Sequence, residues 1–166
     1  MQTRTILILA NIVYLAVLAL FLMDGFTSFN IKSQLIKYFV YLGLFIGAPA
    51  ILIGNAISFQ PVYKRILSLI LPILALILIF FIGPLEIVFA AGAWRTQTVI
   101  YQNIRSSFNK VEFQMRGRGA LGYNRRTVEV LYLTPLFMVI RPVPRDIDTD
   151  VEWIKVDKEV NELGLK

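Results

Sequence analysis

Neither cysteine nor histidine occurs among the 166 residues. The first absence removes disulfides, thiolate nucleophiles and iron–sulfur ligation, and the second removes histidine-ligated haem and imidazole general-base chemistry. Together they remove the usual zinc sites. Acids are also scarce, eleven against seventeen lysines and arginines, for a net charge of +6. There is no phosphate-cradling glycine loop, no Gly-x-Ser-x-Gly elbow and no Ser-x-x-Lys. Carboxylate pairs, lysine or tyrosine are the remaining catalytic options. The residues point to a non-enzymatic protein with no catalytic residue, cofactor or metal site to assign. Asp146, Asp148 and Asp150 alternate, but without the glycine and the downstream glutamate of a calcium loop. They read better as capping residues for a following helix.

Apolar residues are what the chain has in abundance, 57% of the total. Three runs stand out: Ile6 to Met23, Leu35 to Ile57 and Ile66 to Ala93. At about 1.5 Å per residue, an 18-residue helix reaches roughly 27 Å, close to the ~30 Å hydrocarbon core of a bilayer. The first run exceeds a signal-peptide core and ends in Phe21-Leu22-Met23-Asp24, which lacks a small-residue cleavage pattern. It therefore reads as a span. Asn11 and Tyr14 are its polar interruptions, each able to hydrogen-bond to a neighbouring helix. The second run carries Gly43 and Gly47 in a Gly-x-x-x-Gly spacing that admits another backbone, and Asn55 lies near its end. The third is too long for one perpendicular span and too short for two. Gly83-Pro84 divides it into a crossing over 66–83, with Pro72 placed in the first turns, and a short interfacial helix over 84–93. Glu86 is the one acid inside the three runs. It marks either an intramembrane functional group or a helix-start residue at the water boundary.

From Trp94 the composition turns polar, which places a boundary between a transmembrane domain (1–93) and an extramembrane domain (94–166). Val111, Phe113 and Met115 alternate with Glu112, Gln114 and Arg116, the period-two pattern of a strand with one buried face. Thr98 to Ile104, Thr127 to Leu133 and Leu136 to Arg141 also read as strands. These four predict an antiparallel meander with a glycine-marked loop at Gly117, Gly119 and Gly122. Trp153, Val156, Val160 and Leu163 recur at spacings of three and four, which predicts a closing amphipathic helix stopped by Gly164. The expected fold class is thus integral membrane α+β: three transmembrane helices, a small antiparallel sheet of about four strands, and a C-terminal amphipathic helix.

Charge is uneven along the chain. Residues 1–93 carry five basic against two acidic side chains, residues 94–145 nine against two, and residues 146–166 three against seven. A basic module tethered to a membrane meets anionic headgroups. The block Arg116-Gly117-Arg118-Gly119 with Tyr123, Asn124, Arg125 and Arg126 is the candidate lipid- or partner-binding surface, the alternative being a solvated hairpin loop paired with the acidic tail. The block is too short to predict nucleic-acid binding. Gly43, Gly47, Asn11, Asn55 and Glu86 are the candidates for contacts between helices within the membrane.

Two functions survive this reading. One is an accessory or assembly subunit with a protein partner in the membrane or a second copy of itself. The other is a module that reads membrane lipid through its basic sheet, and a carboxylate enzyme using Glu86 is a distant third. Three crossings put the loop from Asp24 to Gln34 on the same side as the C-terminal domain. Its basic excess inclines that side towards the cytoplasm.

Overall fold

The computed structural model describes residues 2–59, 61–144, 147 and 150–164. Four helices are present among them: α1 (Gln2–Phe26), α2 (Gln34–Ser58), α3 (Val62–Ile82) and α4 (Pro84–Ala90). The first three are long and apolar enough to cross a membrane. Six strands also occur among the described residues: β1 (Phe29–Ile31), β2 (Arg95–Asn103), β3 (Asn109–Gly117), β4 (Tyr123–Tyr132), β5 (Phe137–Arg141) and β6 (Trp153–Glu159). They form one antiparallel sheet in the order β1-β5-β4-β3-β2-β6. The chain divides into a helical unit, Met1–Met23 with Tyr38–Ala91, and a sheet unit, Asp24–Lys37 with Gly92–Lys166.

In the helical unit, small residues on α2 set how closely α1 approaches. A Cβ on Gly47 would lie 2.7 Å from the Tyr14 ring, one on Gly54 would lie 3.0 Å from Leu7, and one on Gly43 would lie 3.4 Å from Val17. Partner numbers fall on α1 as they rise on α2, so the two helices cross antiparallel. Asn11 and Asn55 exchange side-chain amide hydrogen bonds at 2.9 and 3.0 Å, and the Asn11 amide also donates to the Leu7 carbonyl. Asn55 donates further to the Ser68 carbonyl on α3 at 2.7 Å. That carbonyl lies four residues before Pro72, which has no N–H to give it. The asparagine of one helix thus supplies the bond that the proline of another withholds.

Three expectations are corrected here. Helix α3 begins at Val62, so Pro72 sits in mid-helix rather than in the first turns; the Ser68–Asn55 bond is what makes that tolerable. The connection expected as a loop from Asp24 to Gln34 contains β1, which adds a fifth strand beside β5.

The third correction is the C-terminal helix, which is instead strand β6, paired with β2. Its Ile154 and Val156 are β-branched and favour a strand, and without it β2 would be an open edge. Asp157 has φ of 43° and sits at a register irregularity, which breaks the period-two pattern that would have marked the strand. The Gly164 amide closes a turn on the Asn161 carbonyl. Of the expected capping residues, Asp146 and Asp148 lie outside the described residues. Asp150 accepts the Glu152 backbone N–H at the entry to β6.

Both edges of the sheet are blunted. β1 has three residues, and β6 carries the irregularity at Asp157 with Lys155 and Lys158 exposed beside it.

Candidate functional site: a buried polar network on the sheet

Strand register assigns Thr96, Glu112, Gln114, Arg126, Tyr132, Met138 and Asn30 to one face of the sheet. The alternation in β3 predicted Glu112 and Gln114 to be the solvated set. They are instead 2% and 0% exposed, and Asn30 on β1 and Lys32 just after it bring further polar partners to that face.

Lys32 Nζ pairs with Glu162 Oε2 at 2.7 Å and donates to Thr96 Oγ1 at the same distance. The Thr96 hydroxyl donates onward to Glu112 Oε2, and the Thr96 amide donates to Glu162. Glu112 also accepts from Gln114 Nε2 at 2.9 Å and from the Tyr132 hydroxyl at 3.0 Å to each oxygen. Gln114 Oε1 accepts two N–H groups of Arg126, whose Nη2 reaches Asn30 Oδ1 as well. The Arg126 guanidinium lies 4.0 Å from the Trp94 ring centroid, and that of Arg116 lies 4.9 Å from it. Asp24 Oδ2 pairs with Lys37 Nζ at 2.9 Å, with both side chains at most 3% exposed, while Asp24 Oδ1 accepts the Ile31 N–H.

Burial lowers the Arg126 pKa to about 10, with the like charge of Arg116 adding to the effect. The group stays charged at neutral pH, held by amide oxygens and the indole face. Burial first, and the Glu112 carboxylate second, raise the Tyr132 phenol above its ordinary range. Above a pH of about 10 the unfolded chain releases this proton and the folded chain keeps it, so Tyr132 makes stability fall as pH rises. Tyr132→Phe should flatten that alkaline decline in thermal melts taken between pH 9 and 11. An unchanged slope would show that the phenol does not carry it.

Glu112 receives three partners, and every other charge named here is held by a neighbour.

The four candidate arginines are not gathered into one patch. Arg116 and Arg126 lie against Trp94, whereas Arg125 pairs in register with Met115 and is exposed on the opposite face. Arg118 is half-buried at the turn before the short 3-10 segment Gly119–Leu121, and Tyr123 is exposed. Among the helix-contact candidates, Gly43, Gly47, Asn11 and Asn55 meet neighbouring helices, and Glu86 is exposed in the first turn of α4, behind Pro84.

Sequence reasoning missed Asp24, Asn30, Lys32, Lys37, Thr96, Glu112 and Gln114 as network members. The available signal was Asp24 and Lys37 bracketing a very short loop between two apolar runs. No protein-family model, curated protein or solved structure matches the chain.

Proposed function

We propose that the protein is a non-enzymatic accessory or assembly subunit of a larger membrane complex, with α1, α2 and α3 crossing the bilayer and the sheet unit presenting a surface to a protein partner. The reading rests on the contrast between the two faces of the sheet. One is closed on itself by the polar network. The other carries the Phe29–Phe137 stack at 5.3 Å with half-exposed Tyr101, Phe113 and Leu131, and exposed Arg125 and Tyr123 beside them. Aromatic side chains with arginine are the composition enriched at protein interfaces.

A photoreactive phenylalanine analogue at Phe113 or Tyr123, irradiated in native membranes, should give one discrete adduct heavier than the 18.9 kDa chain. The same analogue at Phe80, on α3, serves as the comparison. Recovery of the uncrosslinked monomer alone from both sheet positions would overturn the partner.

A further inference from the structure

A groove of about 380 Å³ opens at one end of the sheet, where the β2–β3 and β4–β5 loops meet. Gln102, Phe108, Lys110, Tyr132, Thr134 and Pro135 line it. Lys110 Nζ lies 5.9 Å from the Tyr132 ring centroid. The lining offers one ammonium and several neutral hydrogen-bond groups, and it contains no acid. Its rim is apolar and open to solvent: Ile104, Phe108, Leu133 and Leu136 are 43–65% exposed.

Two observations say what such a rim meets. Register puts Gln102, Lys110 and Tyr132 on the network face, the face on which Lys32 and Asn30 bond Thr96 and Arg126 just ahead of α2. The loop itself is tied to the start of α2, since the Leu136 carbonyl accepts the N–H groups of Lys32 (2.8 Å) and Ser33 (3.3 Å). Gln34 then opens a helix apolar and long enough to cross a bilayer. The β4–β5 loop is therefore bonded to the two residues that immediately precede α2. At that level a protein surface meets the headgroup layer, where apolar side chains enter the acyl boundary and a lysine faces anionic lipid.

We propose that this loop end of the sheet is a lipid-binding foot, in which the rim residues Phe108, Leu133 and Leu136 rest in the interface while Lys110 takes the phosphate of an anionic headgroup. It assigns lipid contact to residues other than the arginine block around Trp94. The inference rests on the bilayer placement proposed above and is independent of the protein partner.

The absence of cysteine makes the test direct, because single cysteines carry an environment-sensitive fluorophore without background. Phe108→Cys and Leu136→Cys probe the foot. Thr127→Cys, exposed on the opposite face of the sheet, reports water, and Phe80→Cys on α3 reports the bilayer. The full chain is reconstituted into vesicles containing phosphatidylglycerol and phosphatidylcholine. Labels at 108, 136 and 80 should be quenched by spin-labelled lipid, and the label at 127 by aqueous iodide. Spin-labelled phosphatidylglycerol should quench position 108 in preference to spin-labelled phosphatidylcholine. Local enrichment should be up to about fivefold, the equivalent of one lysine at an anionic surface, and Lys110→Gln should abolish it.

Iodide quenching at 108 and 136 as strong as at 127, with position 80 still quenched by lipid, would overturn the foot and leave the bilayer placement standing. Shielding of 108 and 136 from both quenchers would also overturn it, since a protein would then cover the loops. Failure of lipid quenching at position 80 would overturn the bilayer placement and the foot together. Equal quenching by the two lipids would overturn the lysine–phosphate contact.

Discussion

Asp24→Leu is expected to destabilise the protein by about 3–5 kcal/mol, the cost of leaving a buried charge without its partner. Lys37 would keep its ammonium where its side chain is only 3% exposed, and the 2.9 Å contact to Asp24 would be gone. The Ile31 N–H would lose its acceptor in the same step. A second replacement separates these two costs. In the pair Asp24→Leu with Lys37→Met no charge is stranded, and removing a buried ion pair as a whole is often neutral. The double variant should recover all but about 1–3 kcal/mol, the remainder being the orphaned amide. Chemical unfolding in mild detergent measures both. A single variant within about 1 kcal/mol of the parent, well below that charge penalty, would show that water reaches the pair.

Asn55→Leu is expected to cost about 2–4 kcal/mol, because it orphans two polar groups at once at ~1–3 kcal/mol each, the Asn11 amide and the Ser68 carbonyl. Asn55 is fully buried, so neither group gains water in exchange. Pro72 gives the argument an internal control. Pro72→Ala restores an N–H four residues after Ser68, and the carbonyl then has a partner within its own helix. The asparagine replacement should therefore cost about 1 kcal/mol less in the Pro72→Ala background, a coupling that a double-mutant cycle reads directly. Strict additivity of the two changes would separate Asn55 from the proline.

The parts of this fold that were legible in the sequence are those fixed by local periodicity. Run length and apolarity marked three long helices, Gly83-Pro84 marked the break before α4, alternation marked β3, and β-branched, aromatic or apolar runs marked β2, β4 and β5. What stayed hidden depends on residues far apart in the chain. β1 is three residues long, below the length at which a period-two pattern can be read, and it exists because β5 pairs with it more than a hundred residues later. β6 carries an irregularity at Asp157 that turns its apolar spacing from two towards three and four. Glu112 and Gln114 read as solvated because polar side chains usually are. They are buried because Thr96, Tyr132, Arg126 and the segment around Asn30 and Lys32 converge on them, and no window of one strand contains that information. The candidate arginines failed as a cluster for a simpler reason: Arg125 and Arg126 are neighbours in a strand, and neighbours in a strand point to opposite faces.

The pairing of β1 with β5 also acts as a check on biogenesis. β1 lies in the connection between the first two helices and β5 in the segment after the fourth, so with α1, α2 and α3 crossing the bilayer as proposed, the sheet can be completed only when the two have arrived in the same compartment. In that placement, a nascent chain that threaded one helix too few or too many would strand its first strand across the lipid from the other five. It would display an unfinished β-edge to the proteases and chaperones of quality control.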